Sequence, residues 1–355
     1  MSSISDRKDD HLTLCASKPV GFRTKTTLLE EVQFVHNALP ELAVSDVSLE
    51  TRLLKWTLRA PIVIAGMTGG TPEAARVNRS LAQVAEQRGY AFGVGSQRAM
   101  HVSEGRDQTY AVRDVAPSAL ILGNIGVVQA RELSTARIEE LVQRIGADAL
   151  CVHLNPAMEL IQKGGDRDFR LGLETIKRLV NELDRPVVIK ETGCGLSHDV
   201  AMRLHAIGVQ HVDVSGAGGT SWVGVETMRA ENAHDNQTAA LGDLLWDWGI
   251  PTGVSTFWMR SAGMQTVIAT GGIAHGLDVA RALALGATAA GVARPALQAL
   301  HDGGTDAVHA LFEGVETQLR AAMLLTGSKT VFDLQKARVV LGPTLREWLK
   351  LPVDS

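Results

Sequence analysis

Residues 151–160, CVHLNPAMEL, bring together side chains that could do chemistry. His153 and Asn155 supply donors suited to an anion, and Glu159 supplies a carboxylate. A single carboxylate can hold Mg²⁺ when the ligand's own phosphates complete the coordination. A helix-face glutamate in water would have the same sequence. Among these polar groups stands Met158. A thioether has no proton to give and is only a weak acceptor.

Comparable groups recur elsewhere. The segments GMTGGT (66–71), GSQR (95–98), GNIG (123–126), SGAGGTSW (215–222), TGGI (270–273) and GVARP (291–295) each follow an apolar run. Another apolar run ends in Lys190-Glu191. Glycine-rich segments leading into helices suit phosphate, because backbone N–H groups can approach it unobstructed. Each alone could equally be a tight turn. Together with Lys190 they point to a phosphorylated cofactor such as FMN, whose reduced ring a nearby cation stabilises. The plainer reading of Lys190 is an ion pair with Glu191 or another acid. Near the start, DRKDDH (6–11) places Arg7, Lys8 and His11 together. This is either a solvated charge run or an arm folding over an anionic substrate, from this subunit or a neighbouring one.

The elements that must position these groups follow from the apolar runs. Eight runs end near residues 66, 95, 126, 154, 191, 214, 270 and 293, with helical patterns at 73–88, 134–145, 170–183, 198–207 and 277–285. Continuous apolar runs imply strands buried on both faces, hence a parallel sheet. The α/β alternation predicts a TIM (β/α)8 barrel, with a doubly wound sheet as the alternative. In a barrel the polar segments share the rim where active sites lie. The reading is one domain over 1–355. It has an N-terminal arm and bottom-closing segment over about 1–60, a helical insertion over about 225–262, and C-terminal helices over about 305–350.

Composition narrows the function classes. The chain has 355 residues, is 45% hydrophobic and carries a formal charge of −4, so nothing favours nucleic acid as a partner. No apolar run reaches membrane-spanning length, and the first residues lack a secretory apolar core. Cys15, Cys151 and Cys194 form no CxxC pair, which predicts reduced thiols and a cytoplasmic location. No His/Cys metal spacing appears.

Taken in order, MTGG, GVGSQR, GNIG, HLN…E, GDRDF, KETGCG, GAGGTSW, DWGIPT and TGGI resemble the type 2, FMN-dependent isopentenyl diphosphate isomerases, from RKDDHL to about residue 345. The resemblance implies a TIM barrel assembled as a homotetramer or homo-octamer, with reduced FMN, NAD(P)H as reductant and Mg²⁺. The implied substrate is a prenyl diphosphate of isoprenoid biosynthesis, isomerised by proton addition and removal. By the same resemblance Arg7, Lys8, Ser96, Arg98, His153 and Asn155 bind the diphosphate, and Glu159 holds Mg²⁺. Thr68, Ser96, Asn124, Lys190, Ser215 and Thr220 contact FMN, with Gly271, Gly272, Ala293 and Arg294 at its phosphate. Lys190, His153 and Trp222 would be catalytic, together with position 158. There the family has a glutamine implicated in proton delivery, and this chain has Met158. Either isomerisation survives with flavin as the main acid and base, or the scaffold serves another prenyl diphosphate by isomerisation, cyclisation or coupling. Gln162, four residues on, could stand in for the missing amide. A non-catalytic flavin or prenyl-phosphate binder is a third reading. A hydroxy-acid oxidase would need a His/Arg pair, of which only His275 suggests itself.

Overall fold

The computed structural model describes residues 4–102 and 105–351, so the first three residues of the expected arm lie outside the described residues. The chain opens with helix α1 (Ile4–Ser17), strand β1 (Val32–Phe34) and the paired strands β2 (Thr51–Leu53) and β3 (Trp56–Leu58). Eight parallel strands follow: β4 (Ile62–Ile64), β5 (Ala91–Gly93), β6 (Ile121–Gly126), β7 (Ala149–His153), β8 (Val187–Lys190), β9 (His211–Asp213), β10 (Thr266–Thr270) and β11 (Ala289–Val292). Strand β11 pairs back onto β4 and closes the sheet, so no strand edge is left open. The predicted barrel is the fold.

Why these residues make a barrel is visible in β4. Val63 points inward and joins Leu122, Cys151, Val188 and Ile268 in the barrel's interior. Ile62 and Ile64 point outward into the layer under the helices. Both faces of β4 are therefore apolar, as a helix-covered parallel sheet favours. Leu53 and Leu58, from β2 and β3, enter the same interior cluster. The first residues of the barrel strands are thus capped by the hairpin that precedes them.

The helices are α2 (Pro72–Arg88), α3 (Arg98–Val102), α4 (Val127–Glu132), α5 (Thr135–Arg144), α6 (Pro156–Ile161), α7 (Gly172–Glu182) and α8 (His198–Ala206). Then come α9 (Trp222–Asn232), α10 (Asn236–Leu244), α11 (Thr252–Ser261), α12 (Gly276–Ala284) and α13 (Arg294–Leu325). Helix α2 shows how local sequence sets the boundaries. Thr71 caps it by accepting from Ala74 N–H, Pro72 opens it, and Gly89 ends it at φ 67°. The stretch 225–262 holds most of α9, then α10 and α11. Helix α11 packs on α8 and β10, the place of the helix returning the chain from β9 to β10. Helices α9 and α10 pack on each other and on α6, at the rim.

Helix α13 breaks at Gly303–Gly304, where φ is −152° and 65°. Beyond it lie α14 (Val331–Gln335), strand β12 (Val339–Leu341) and α15 (Pro343–Leu349). The tail is therefore not all helix. Strand β12 pairs antiparallel with β1 and ties the two ends of the chain together.

The hairpin cap gives a direct test. Leu53 is fully buried, and truncating such a leucine typically costs about 2–5 kcal/mol. Leu53→Ala is expected to lower the unfolding free energy measured by urea titration by that amount, while ligand affinities at the opposite rim stay unchanged.

Candidate functional site

Where the strands end, the chain encloses a cavity of about 440 Å³. Register brings the functional groups to one level. The last residue of β7, His153, pairs with Lys190 at the end of β8, and Lys190 pairs with Asp213 at the end of β9. Arg7, Lys8, Thr68, Ser96, Arg98, Asn124, His153, Asn155, Met158 and Glu159 all line this cavity. So do Lys190, Ser215, Thr220, Trp222, Gly271, Gly272, Ala293 and Arg294. Every site residue singled out from the sequence therefore reaches the same space. His275 does not line it and instead caps helix α12, accepting from Asp278 N–H at 3.2 Å.

The positive charge there is poorly compensated. Arg7 and Lys8 come from α1 and Arg98 from the start of α3. The carboxylates around them are engaged elsewhere. Glu226 accepts from His11 Nε2 and Arg229 at 2.7 Å each, and Asp10 pairs with Arg229 at 3.1 Å. Asp166 accepts from Gln129 Nε2 at 2.6 Å and lies 3.6 Å from Arg98. Burial, then repulsion from Arg7 and Arg98, lowers the Lys8 ammonium to a pKa of about 8.

His153 is neutral. Burial and the charges of Lys8, Lys190 and Arg98 push its pKa down to about 3. Its Nδ1 lies 2.8 Å from Asn124 Oδ1, while Asn124 Nδ2 donates to Val94 O at 3.1 Å. The asparagine's oxygen is thus the group facing the imidazole, so Nδ1 carries the proton and Nε2 keeps a lone pair.

Glu159 is buried and its pKa is raised, chiefly by that burial. Its oxygens accept from Asn155 Nδ2 at 2.9 Å, Gln162 Nε2 at 3.0 Å and Asp166 N–H at 2.7 Å. A carboxylate has about four lone-pair positions, so one is left. Among the described residues no three His, Cys, Asp or Glu side chains gather as a metal cage. A cation held here would need oxygens from a ligand, the usual arrangement for Mg²⁺ with phosphates.

Lys190 is set differently from Lys8. Its Nζ donates to Asp213 Oδ2 and to Ser215 Oγ, each at 3.0 Å. Its acid partner is Asp213 rather than Glu191, which accepts from the N–H groups of Thr192 and Cys194. Ser215 has φ 38°, and its N–H donates to Asp213 Oδ1 at 3.1 Å. Backbone strain at a non-glycine residue persists where surrounding contacts fix it, and such residues cluster at functional sites.

One wall fits a phosphorylated, hydrogen-bonding cofactor. A Cβ on Gly219 would stand 2.3 Å from Gly272 N, and Gly271 and Gly272 have φ 113° and 71°. Only glycine permits backbone to pass so close to backbone there. The hydroxyls of Thr68 and Thr270 are buried without a hydrogen-bond partner among the described residues. Orphaned buried hydroxyls on a cavity wall mark places where a ligand completes the bonding.

Sequence reasoning missed several residues. Asp213 could have been found as the acid ending an apolar run at the same rim as Lys190. His11, noticed within the charge run, turns out to be buried and stacked edge-on to Trp222, with ring centroids 5.3 Å apart. Glu226 and Gln129 gave no local signal, since helices distant in sequence bring them in, and Asp166 lies within the GDRDF motif but was given no role there. The arm lining the cavity is the chain's own.

Comparison with known proteins places this geometry. Residues 155–341 match the family model for FMN-dependent dehydrogenases. The isopentenyl-diphosphate delta-isomerase of Methanothermobacter thermautotrophicus is 44% identical over 347 residues, covering 98% of this chain and 96% of that protein. That of Methanosarcina mazei is 41% identical, covering 99% and 95%. That of Halobacterium salinarum is 42% identical, covering 100% and 98%. Among solved structures, a mandelate oxidase variant with (S)-mandelic acid aligns with a TM-score of 0.65 at 19% identity, covering 96% of this chain and 100% of that one. At that identity the likeness is one of fold alone.

The cation cluster predicts a pH dependence for anion binding. Lys8 has a pKa of about 8 in the free protein, and a bound polyanion raises it. Between those two values the complex holds more protons than the free protein, so affinity falls as pH rises. Inorganic pyrophosphate binding, measured by titration calorimetry, is expected to weaken above pH about 8 and to be flatter in Lys8→Met. A Lys8→Met profile identical to wild type would rule this out.

Proposed function

The chain belongs to the type 2, FMN-dependent isopentenyl-diphosphate delta-isomerase family, and on that footing we propose that it converts isopentenyl diphosphate to dimethylallyl diphosphate using FMN and Mg²⁺. One observation carries the reading furthest. A poorly compensated cluster of Arg7, Lys8 and Arg98 shares a cavity with a glycine cradle and two orphaned threonine hydroxyls. Such a cavity suits two phosphorylated ligands.

In this reading Arg7, Lys8, Ser96, Arg98, His153 and Asn155 grip the substrate's diphosphate. The neutral His153 meets it with the Nε2 lone pair, so close approach of a phosphate oxygen requires a shared proton. Glu159 would use its remaining lone pair to hold Mg²⁺, which would supply positive charge to the diphosphate. Gly271, Gly272, Ala293 and Arg294 hold the flavin phosphate, and Thr68, Ser96, Asn124, Ser215 and Thr220 meet its other polar groups. When bound and reduced, with NAD(P)H as electron source, FMN supplies an electron-rich ring able to exchange a proton with the substrate's double bond. Lys190, fixed by Asp213 and Ser215, places positive charge against that ring. Trp222 offers an aromatic wall to the prenyl carbons. A homotetramer or homo-octamer would cover exposed apolar groups such as Leu244 and Trp248.

Met158 favours a second reading. It lines the cavity with Leu12, Met67, Ile273 and Leu297, an apolar company suited to a longer prenyl chain. The deciding experiment incubates reduced FMN protein with Mg²⁺ and isopentenyl diphosphate in D₂O, followed by NMR. Deuterated dimethylallyl diphosphate supports the isomerase. No exchange with flavin bound favours a different prenyl diphosphate.

Two variants sharpen the proposal. Positioned acid–base groups contribute roughly 10²–10⁴-fold, so Met158→Gln is expected to raise isomerase turnover by at least about tenfold; unchanged turnover argues for the second reading. Glu159→Gln is expected to abolish the Mg²⁺ enhancement of pyrophosphate affinity in calorimetry while Mg²⁺-free binding persists. A retained enhancement would move the metal elsewhere.

A further inference from the structure

The arm helix α1 ends against the cofactor wall. The last carbonyls of a helix have no partner within it. Here the first turns of α13 supply the donors. Arg294 Nε donates to Cys15 O at 3.0 Å and its Nη2 donates to Lys18 O at 2.6 Å. Gln298 Nε2 donates to Ala16 O at 3.3 Å. A guanidinium at this position also meets the negative end of the helix dipole, and α1 has no basic residue in its own last turn.

Arg294 stands where the chain leaves the eighth barrel strand, and it lines the cavity together with Gly271 and Gly272. Its third nitrogen, Nη1, has no hydrogen-bond partner among the described residues and would lie 3.8 Å from a Cβ on Gly21, another cavity residue. The guanidinium is a rigid planar fork with five N–H donors. With two nitrogens committed to the arm, the third remains for an anion in the cavity.

We propose that Arg294 is a positioning residue that couples occupancy of the cofactor's phosphate cradle to the seating of α1, and through α1 to Arg7 and Lys8. This rests on the reading of the cavity as a flavin site. An anion engaging Nη1 restrains the whole fork, and the fork restrains the end of the helix. The segment after α1 is laced down independently, by Phe22 N–H to Gly219 O at 3.0 Å and Ser221 N–H to Val20 O at 2.8 Å. Arg294 therefore governs the helix and not the chain that follows it. Flavin binding in this scheme comes before a full grip on the diphosphate.

The test is amide hydrogen exchange of the α1 peptide in the full-length protein, without and with saturating FMN, paired with calorimetry of inorganic pyrophosphate. In wild type, FMN is expected to slow exchange in α1 by about tenfold and to tighten pyrophosphate by a similar factor. In Arg294→Met, with flavin binding verified by its absorbance and quenched fluorescence, both effects are expected to shrink to about twofold or less. Gln298→Leu removes a donor to the same helix end that carries no charge. It is expected to loosen α1 with and without flavin while leaving the flavin effect intact. Flavin that binds wild type without slowing α1, or an Arg294→Met protein that keeps the full effect, overturns the coupling alone. A wild-type protein that takes up no FMN overturns the proposed function itself.

Discussion

Positive charge gathered in one cavity, only partly matched by carboxylates, is the constraint on which the rest of this structure depends. Arg7, Lys8 and Arg98 repel one another across a partly dry space, and the lowered pKa of Lys8 registers that repulsion together with its burial. The neighbouring acids relieve it only in part, because Glu226 and Asp10 are bound to His11 and Arg229, and Asp166 reaches Arg98 only at 3.6 Å. The arm must therefore be fastened by other means. Thr71 Oγ1 donates to Asp9 Oδ1 at 2.7 Å, His11 docks on Glu226 and Trp222, and Arg294 grips the carbonyls at the far end. These contacts hold cations in a place where an anionic ligand would satisfy them more fully. Functional sites commonly keep such unfavourable arrangements, which surrounding structure offsets.

The same cavity contains a second lysine with the opposite setting. Lys190 lies between Asp213 and Ser215, both at 3.0 Å, on the rigid end of a barrel strand. Its charge is compensated and its position fixed. Lys8 sits on an arm and has no such partner among the described residues. One environment suits a charge that must stay in place beside a cofactor; the other suits a charge that waits for a ligand. Between them His153 is kept neutral by burial and then by the surrounding cations. Environments that push titratable groups apart in this way let one cavity hold several distinct roles at neutral pH.

How much of this was legible in sequence follows from which interactions are local. The strands were legible because burial on both faces leaves unbroken apolar runs such as PIVIAG and RPVVIK. The rim was legible because barrel closure places every post-strand segment on one side. Asp213 lay in plain view, yet its partnership with Lys190 depends on the register of β8 against β9. Register between parallel strands is set by packing and not by neighbours in the chain. His11 and Glu226 are separated by more than half the molecule, so nothing local could pair them. The tail strand Val339–Leu341 escaped for a related reason. It is short, half exposed and exists only because Val32–Phe34 lies beside it.

Met158 can be weighed against this background. The carboxylate of Glu159 is held by Asn155, Gln162 and the N–H of Asp166, and none of these bonds comes from residue 158. Gln162 already spends an amide hydrogen on Glu159, so it is poorly placed to replace an amide lost one turn earlier. A thioether at 158 thus leaves Glu159 and its hydrogen bonds intact while changing what the cavity wall presents to a ligand. The cation cluster, the glycine cradle and the Lys190–Asp213 pair likewise make no use of residue 158. The side chain at 158 is therefore separable from the groups that would bind anions. On the proposed reading, methionine in place of glutamine would leave the grip on both phosphates intact and act on the chemical step alone.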